Sequence, residues 1–353
     1  MMKCIDKIRG LLDSSSAAVI TSEASRRYLS GFAATDGYVI ITPNSAVFFA
    51  DSRYIEDARA NIKELGVELF SGFKSVREFL DKEKIDKIFI ETEYLTLGGF
   101  ATLKKALEVK VSRSSALSET IRKCRMVKTE SEISNILAAQ KITDAAFKHI
   151  LNYVKAGVSE RDIALELDFF MRRMGSEGVS FDTIAVGGKN SSLPHGVPSD
   201  YKLQNGDMLT MDFGAVVNGY HSDMTRTVAI GEIGEKQRLV YNTVLKAQSQ
   251  AIAEIKEGIK CSVIDKIARD CINEAGFGAF FGHALGHSVG LEIHETPNFS
   301  PRCDEALKEN MVLTVEPGIY LGNEFGVRIE NMIIVKANTA VNITESPREL
   351  IIV

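Results

Sequence analysis

Residues 208–214, Met-Leu-Thr-Met-Asp-Phe-Gly, and residues 220–225, Tyr-His-Ser-Asp-Met-Thr, are two strand-like runs in the second half of the chain. Between them, Asn218-Gly219 is a dipeptide typical of the tight turn of a β-hairpin. A two-residue turn at this dipeptide places Val217 opposite Tyr220. The stretch therefore predicts an antiparallel hairpin whose register is set by its turn.

The register of this hairpin brings two acidic residues together. Gly214 lies opposite Asp223, and Asp212, two residues along the strand, shares the same face as a diagonal neighbour. Diagonal neighbours lie roughly 7 to 8 Å apart, which leaves room for both carboxylates to reach one cation or an adjacent pair. The alternative is two solvent-facing acids on an amphipathic hairpin.

Histidines cluster in the same half of the chain. Five of the six fall within a window of 100 residues, and His283, His287 and His294 lie among glycines and apolar residues in the segment 281–295. Glycines allow close approach of the backbone, and a neutral imidazole can ligate a metal or hydrogen-bond a substrate. One histidine in this setting would be interpreted as a packed core residue, whereas three together favour a site.

Two glutamates stand at the edges of apolar, β-branched runs further along. Glu316 precedes Pro317-Gly318, so a surface acid at a turn is the alternative to a site residue. Strand alternation places Arg328 and Glu330 on one face, so an ordinary ion pair is the alternative there. With two aspartates and one imidazole, these glutamates form an oxygen-rich set. Such a set suits two divalent ions, Mn²⁺ or Co²⁺ with Zn²⁺ as a further candidate, better than a thiolate-bound structural zinc.

The first third of the chain alternates short strands and helices. A helical stretch over residues 23–29 is closed by Gly31. Pro43-Asn44-Ser45 separates the apolar runs 37–42 and 46–50, which is typical of a hairpin. We therefore predict a small α/β domain whose sheet is partly antiparallel.

The pattern changes at a charged stretch, residues 122–128, which leads into Thr129-Glu130-Ser131-Glu132, the sequence of a helix capping box. We place the domain boundary here, so that residues 1–122 form the N-terminal α/β domain and residues 123–353 form a second, α+β domain. The helices predicted in the second domain cover residues 130–154, 159–174, 236–257 and 262–275.

Composition limits the classes of partner. The formal net charge is −5 and the pI is near 5.8, so the chain has no basic field to attract nucleic acid. It has neither a G-x-G-x-x-G nor a Walker loop, and it has no apolar run of about 18 residues. Asp6 stands where a secretory signal would need apolar residues. We expect a cytoplasmic protein that binds neither nucleic acid nor membranes.

At these residues the sequence resembles the metallopeptidase family with the pita-bread fold, which includes methionine aminopeptidase, Xaa-Pro aminopeptidase and Xaa-Pro dipeptidase (prolidase). The order Asp, Asp, His, Glu, Glu matches the family pattern. Residues 27–32 and 51–54 look like recurring motifs of the N-terminal domain that the Xaa-Pro members carry. The resemblance covers nearly the whole chain and implies a pita-bread catalytic domain that follows a smaller α/β domain.

The resemblance also implies roles for particular residues. Five of them would hold two metal ions: Asp212, Asp223, His287, Glu316 and Glu330. Within this set Asp212 would bind one ion through both oxygens, and Asp223 and Glu330 would bridge the two ions. The catalytic residues would be His195, His294 and Glu316, with Glu316 moving the proton of the attacking water and His294 stabilising the tetrahedral intermediate. The substrate pocket would be lined by His283, Tyr320 and Arg328.

The activity implied first is that of an Xaa-Pro aminopeptidase, which cleaves peptides with proline in the second position. Xaa-Pro dipeptidase shares the ligand set and the domain plan, and Arg328, which could clamp a dipeptide's C-terminal carboxylate, does not decide between them. Two alternatives belong to different functional classes. One is a catalytically inert peptide-binding module, and the other is a metal-free creatinase-like amidinohydrolase. Retention of all five ligands argues against both. By resemblance we also expect a homodimer.

Overall fold

The computed structural model describes residues 2–353, and the chain divides into two compact units, one that ends at Arg125 and one over Met126–Val353. The boundary expected from the sequence, after residue 122, falls within the helix Ala116–Met126 that reaches this division.

The N-terminal unit is a six-stranded mixed sheet in the order β4-β3-β2-β1-β5-β6. Its strands are β1 Ser16–Ile20, β2 Tyr38–Ile41, β3 Ala46–Ala50, β4 Gly66–Leu69, β5 Lys87–Ile90 and β6 Lys110–Ser112. Its helices are α1 Met2–Arg9, α2 Glu23–Ser30, α3 Ile55–Asn61, α4 Phe73–Lys82, α5 Leu97–Leu107 and α6 Ala116–Met126. The antiparallel pairing of β2 with β3 confirms the hairpin predicted around Pro43-Asn44-Ser45.

Alternating residues of β1 explain the layering of this unit. Ala18 and Ile20 belong to one apolar cluster, together with residues of α1, α2 and α6, while Ala17 and Val19 belong to another, together with residues of α4 and α5. Because successive side chains of a strand point to opposite faces, the sheet carries helices on both sides. The unit is therefore a three-layer α/β/α structure.

The C-terminal unit contains two larger sheets, in the orders β11-β8-β7 and β13-β12-β14-β17-β18, and two short strand pairs. Its strands are β7 Ile184–Gly187, β8 Met208–Phe213, β9 Val216–Val217, β10 Tyr220–His221, β11 Met224–Ala229, β12 Gly286–Ser288, β13 Glu295–Phe299, β14 Val312–Val315, β15 Gly318–Leu321, β16 Phe325–Arg328, β17 Asn331–Val335 and β18 Ala340–Asn342. Its α-helices are α7 Glu130–Ile150, α8 Glu160–Arg173, α9 Glu235–Glu254 and α10 Cys261–Glu274, and the 3-10 helices are Gly188–Ser192 and Gly278–Phe280.

Each sheet of this unit is backed by a pair of helices. The apolar residues of α7 and α8 pack against β8 and β11, and those of α9 and α10 pack against β14 and β17. The helices cover the outer faces, so the polar residues of the inner strands are turned toward one another. This arrangement positions the acids singled out in the sequence.

The predicted hairpin register is confirmed. Val217 pairs with Tyr220, and the same register continues along the strands to pair Asp212 with Thr225. Asp212 and Asp223 are therefore diagonal neighbours, as expected.

Two details of the sequence prediction were wrong. Arg328 and Glu330 do not share one strand face, because β16 ends at Arg328 and β17 begins at Asn331 in a different sheet. The helix predicted over residues 130–154 ends at Ile150 and gives way to a turn, although its capping box at Thr129 forms as predicted.

Among residues 2–353, none of the helices combines the length and apolar character needed to cross a bilayer.

Candidate metal centre

The predicted ligands lie in or next to the strands β8, β11, β12, β14 and β17, which bring them together. Ligand atoms of Asp223, His287 and Glu330 all lie within 4.8 Å of one another. His287 Nε2 lies 3.5 Å from Asp223 Oδ2 and 3.4 Å from Glu316 Oε1. Asp212 lies close enough to disfavour ionisation of the other three acids through like charge. The structure thus gathers the whole predicted set at one place.

Two glycines make this approach of strands possible. A β-carbon at Gly214 would lie 1.9 Å from the carbonyl oxygen of Ser222, next to Asp223. A β-carbon at Gly286 would lie 2.1 Å from the carbonyl oxygen of Thr314. Both distances are far below van der Waals contact, so a side chain at either position would force apart the strands that carry the acids.

Three of the carboxyl groups, those of Asp223, Glu316 and Glu330, lie in surroundings that disfavour their charge. Burial raises the pKa of Asp223 and Glu330 well above the usual range, and the neighbouring carboxylates act in the same direction. Burial also raises the pKa of Glu316 to about 8. Buried acids that repel one another are stabilised in the ionised form by a cation.

Unpaired oxygens show where such a cation fits. Among the residues that the structure describes, Asp212 Oδ1, Asp223 Oδ1 and Glu330 Oε1 are buried without a hydrogen-bond partner. A buried acceptor without a partner is costly, and most are satisfied in native proteins. Three from one cluster of hard oxygen donors therefore fit divalent metal ions.

The ring of His287 is oriented as a ligand. Its Nδ1 lies 3.2 Å from the carbonyl oxygen of Ser288, which only accepts, so Nδ1 carries the hydrogen. The lone pair is then on Nε2, which faces Asp223 and Glu316. Burial lowers the pKa of His287 to about 4, so the imidazole is neutral at physiological pH. A neutral imidazole that binds a metal through one ring nitrogen is typically held in place by a hydrogen bond from the other.

Two threonines that the sequence analysis did not single out hold the glutamates. Thr225 Oγ1 donates to Glu330 Oε2 at 2.7 Å, and Thr314 Oγ1 donates to Glu316 Oε1 at 3.1 Å. Each lies two residues from a predicted ligand, Asp223 or Glu316, so strand alternation was the signal that could have identified them.

Arg328 donates four of its five N–H groups to its surroundings. Its Nη2 donates to Asp212 Oδ2 at 2.6 Å, and its Nε donates to Thr225 Oγ1 at 2.9 Å. Its Nη1 donates to the carbonyl oxygen of Pro194 at 3.0 Å and to the hydroxyl of Tyr320 at 2.8 Å. Arg328, only 3% exposed, thereby connects Asp212 with the loop that carries His195.

A directed chain of hydrogen bonds runs on from Arg328 to His283. Because Tyr320 accepts from Arg328, its hydroxyl hydrogen is free for His283 Nε2, which lies 3.1 Å away. His283 Nδ1 donates to the carbonyl oxygen of Ala284 at 2.8 Å. Burial lowers the pKa of His283 to about 4, and nearby Arg328 and His195 act in the same direction. All three residues predicted to line the pocket are thus connected.

The two remaining predicted residues lie at the surface of this cluster. His294 is exposed, and its ring meets the ring of His287 edge-on with centroids 4.4 Å apart. His195 is exposed in the loop after the 3-10 helix Gly188–Ser192. Both imidazoles therefore remain accessible to a ligand that approaches the acids.

We expect metal binding to strengthen as the pH rises. Protons and cations compete for the same carboxylates, and Glu316, with a pKa of about 8, holds its proton at neutral pH in the metal-free protein. The affinity for Mn²⁺, measured by titration calorimetry, should increase between about pH 6 and about pH 8, with release of protons. An affinity that is constant over this range would contradict the electrostatic account.

Comparison with known proteins agrees with this arrangement. Residues 134–337 match the model of metallopeptidase family M24, and residues 5–127 match that of the creatinase/prolidase N-terminal domain. The structure of an Xaa-Pro dipeptidase from Bacillus anthracis is 41% identical and superposes with a TM-score of 0.96, covering 100% of this chain and 99% of that one. An X-Pro aminopeptidase from Thermotoga maritima is 37% identical with a TM-score of 0.91, covering 99% and 100%.

In sequence, the Xaa-Pro dipeptidase of Pyrococcus horikoshii is 38% identical over 355 residues, or 99% of each chain. These matches confirm the predicted architecture, a pita-bread catalytic domain preceded by a smaller N-terminal α/β domain. They also confirm the resemblance recognised from the five ligands. The chain is a member of metallopeptidase family M24 and carries the creatinase/prolidase N-terminal domain.

Proposed function

We propose that the chain hydrolyses the peptide bond between an N-terminal residue and a following proline, using two divalent metal ions. The observation that carries the proposal is the buried cluster of four carboxylates and one neutral imidazole, with three unpaired oxygens. The ions would be held by Asp212, Asp223, His287, Glu316 and Glu330. The relatives named as Xaa-Pro peptidases support the substrate class.

Asp223 and Glu330 would each hold the ions through an oxygen that has no hydrogen-bond partner, Oδ1 and Oε1 respectively. Asp212 would hold the ions through Oδ1, since its Oδ2 accepts a hydrogen bond from Arg328 Nη2. When bound, a pair of divalent cations activates water as a nucleophile at neutral pH and stabilises negative charge on a carbonyl oxygen.

The proton transfers are assigned to residues at the edge of the cluster. Glu316 takes up the proton of the attacking water and delivers it to the leaving nitrogen. His294, whose ring meets that of His287, and His195, which lies near His283, are both exposed and would donate hydrogen bonds around the scissile bond. Proline has no N–H, so its pocket selects the shape of the ring rather than a hydrogen bond.

We favour an aminopeptidase because Arg328 already donates four of its five N–H groups within the protein, which leaves only one for a ligand. Four acceptors already take hydrogen bonds from its three nitrogens. A clamp on the C-terminal carboxylate of a dipeptide needs two parallel N–H groups that are free. The second candidate is a dipeptidase, which the names of the relatives from Bacillus anthracis and Pyrococcus horikoshii favour.

Hydrolysis of an Xaa-Pro dipeptide beside an Xaa-Pro tripeptide distinguishes the two candidates. Metal-free protein is reloaded in turn with Mn²⁺, Co²⁺ or Zn²⁺, and release of the N-terminal residue is followed. Cleavage of the tripeptide, with or without the dipeptide, is the result expected of an aminopeptidase. Cleavage of the dipeptide alone would identify a dipeptidase. Absence of hydrolysis with all three metals would favour an inert binding module.

The oxygen-rich ligand set supports Mn²⁺ or Co²⁺ as the physiological metal. A homodimer is expected from the family resemblance alone, and light scattering of the purified protein would test it. A cytoplasmic location remains the expectation from the sequence.

A further inference from the structure

One glutamine contacts the backbone of the residues that immediately precede Glu316 and Glu330 in the sequence. Gln248, on α9, is completely buried. Its Nε2 donates to the carbonyl oxygen of Val315 at 3.0 Å and to that of Ile329 at 3.0 Å. These residues immediately precede Glu316 and Glu330. A single amide group therefore joins the two segments that carry the acids.

The contact lies where two paired strands separate. The ladder between β14 and β17 ends at the pair Val315–Asn331. Beyond it, the backbone N–H of Glu316 donates to Leu285 and that of Glu330 donates to Thr225, so each segment turns to a different neighbour. Segments that leave a ladder lose the hydrogen bonds that fix their spacing. Gln248 supplies a link at this fork.

The orientation of the amide is determined by its partners. Arg348 Nη1, which can only donate, lies 3.3 Å from Gln248 Oε1. The carbonyl oxygens on the other side can only accept, so the NH₂ group must face them. The hydroxyl of Tyr241 donates to the carbonyl oxygen of Arg348 at 2.7 Å and holds that residue in place.

A buried arginine fixes Glu330 from its other side. Arg226, 1% exposed, donates through Nη1 to the carbonyl oxygen of Glu330. Its Nη2 donates to Asn331 Oδ1 at 3.0 Å and to the carbonyl oxygen of Ser346 at 2.8 Å. Arg226 thus holds the backbone of Glu330 on one side, and Gln248 holds it on the other, toward the segment that carries Glu316.

We infer that Gln248 is a positioning residue that sets the separation of Glu316 and Glu330, and with it the affinity for the second of two cations. The inference rests on the proposed two-metal function. A bridging site is sensitive to spacing because the same carboxylates must reach both ions. Residues that orient metal ligands without touching the metal typically change its affinity by about 10-fold to 100-fold when replaced.

The test is a titration of the metal-free, full-length protein with Mn²⁺. Gln248→Met keeps the length of the side chain and removes both hydrogen bonds to the carbonyl groups. We expect the first ion to bind with nearly the wild-type affinity and the second at least about tenfold more weakly. The paramagnetic resonance signal of coupled Mn²⁺ pairs, a readout independent of turnover, should fall accordingly.

Thr243→Val is the matched control. Thr243 is buried on the same helix, and its hydroxyl donates only within that helix, to the carbonyl oxygen of Leu239 at 2.8 Å. Its loss should lower thermal stability and leave both Mn²⁺ affinities unchanged. If Gln248→Met behaved in the same way, the positioning role would be overturned.

A second variant covers the case in which Gln248→Met does not fold. Arg348→Met, at a half-buried position, removes the partner that orients the amide, together with the contact of Nη1 to Ser249 Oγ at 3.3 Å, and should weaken binding of the second ion by a smaller factor. Unchanged binding in this variant would then overturn the inference. Binding of fewer than two ions by the wild-type protein would instead contradict the two-metal proposal, and the role of Gln248 with it.

Discussion

Replacement of Asp223 by alanine is expected to reduce hydrolysis by about 1,000-fold or more while the protein stays folded. Asp223 is 4% exposed, and its Oδ1 has no hydrogen-bond partner. In the metal-free protein three other acids repel the charge of Asp223. Its removal therefore relieves electrostatic repulsion and should not destabilise the fold. Glu330→Ala should lose activity to a similar extent, because its Oε1 is also unpaired, although this change also removes the hydrogen bond from Thr225 Oγ1 to Oε2.

The prediction is checked by turnover, thermal melting and bound metal in the same preparations. Glu91→Ala is the matched control, because Glu91 is also a buried carboxylate, 1% exposed, but its oxygens accept from Thr21 and Ser22 in the N-terminal unit. Its loss leaves buried donors unpaired, so it should lower stability by about 1 to 3 kcal/mol and spare turnover. Retained hydrolysis by metal-loaded Asp223→Ala would refute the two-metal assignment.

Replacement of Arg328 by alanine is expected to lower both stability and activity. The guanidinium is buried at 3% exposure and is the cation that Asp212 pairs with, so its loss adds uncompensated negative charge to a cluster of four acids. Removing one partner of such a buried pair costs about 3 to 5 kcal/mol. Thermal melting of the metal-free variant measures this loss.

Arg328→Lys serves as the control variant for charge. It retains the positive charge but lacks the planar fork that reaches Asp212, Tyr320 and the carbonyl group of Pro194 together. We expect intermediate stability and an equal fractional loss of activity on Xaa-Pro dipeptides and tripeptides. A selective increase in KM for the dipeptide would show that Arg328 binds the substrate carboxylate and would favour a dipeptidase.

The parts of the site that the sequence predicted are those set by local rules. Asn218-Gly219 determined the turn, the turn determined the register, and the register brought Asp212 beside Asp223. The turn residues Pro43-Asn44-Ser45 gave the same kind of information for the N-terminal hairpin. In each case the deciding residues lie within a few positions of one another.

The parts that sequence could not predict depend on distant contacts. The apolar run around Arg328 gives no sign that one strand ends there and another begins at Asn331. Gln248 is an ordinary polar residue on a helix, and its partners lie 67 and 81 positions away. The ionic partner of Arg328 is Asp212, 116 positions distant, rather than the neighbouring Glu330. Such pairings arise only when the sheets pack.

The most direct test of the central claim is release of the N-terminal residue from an Xaa-Pro tripeptide by metal-free protein before and after addition of Mn²⁺. A tripeptide with alanine in place of proline is the substrate control. We predict negligible release without metal, strong release with it, and a marked preference for proline. Hydrolysis that persists without metal, or none with Mn²⁺, Co²⁺ or Zn²⁺, would contradict the account.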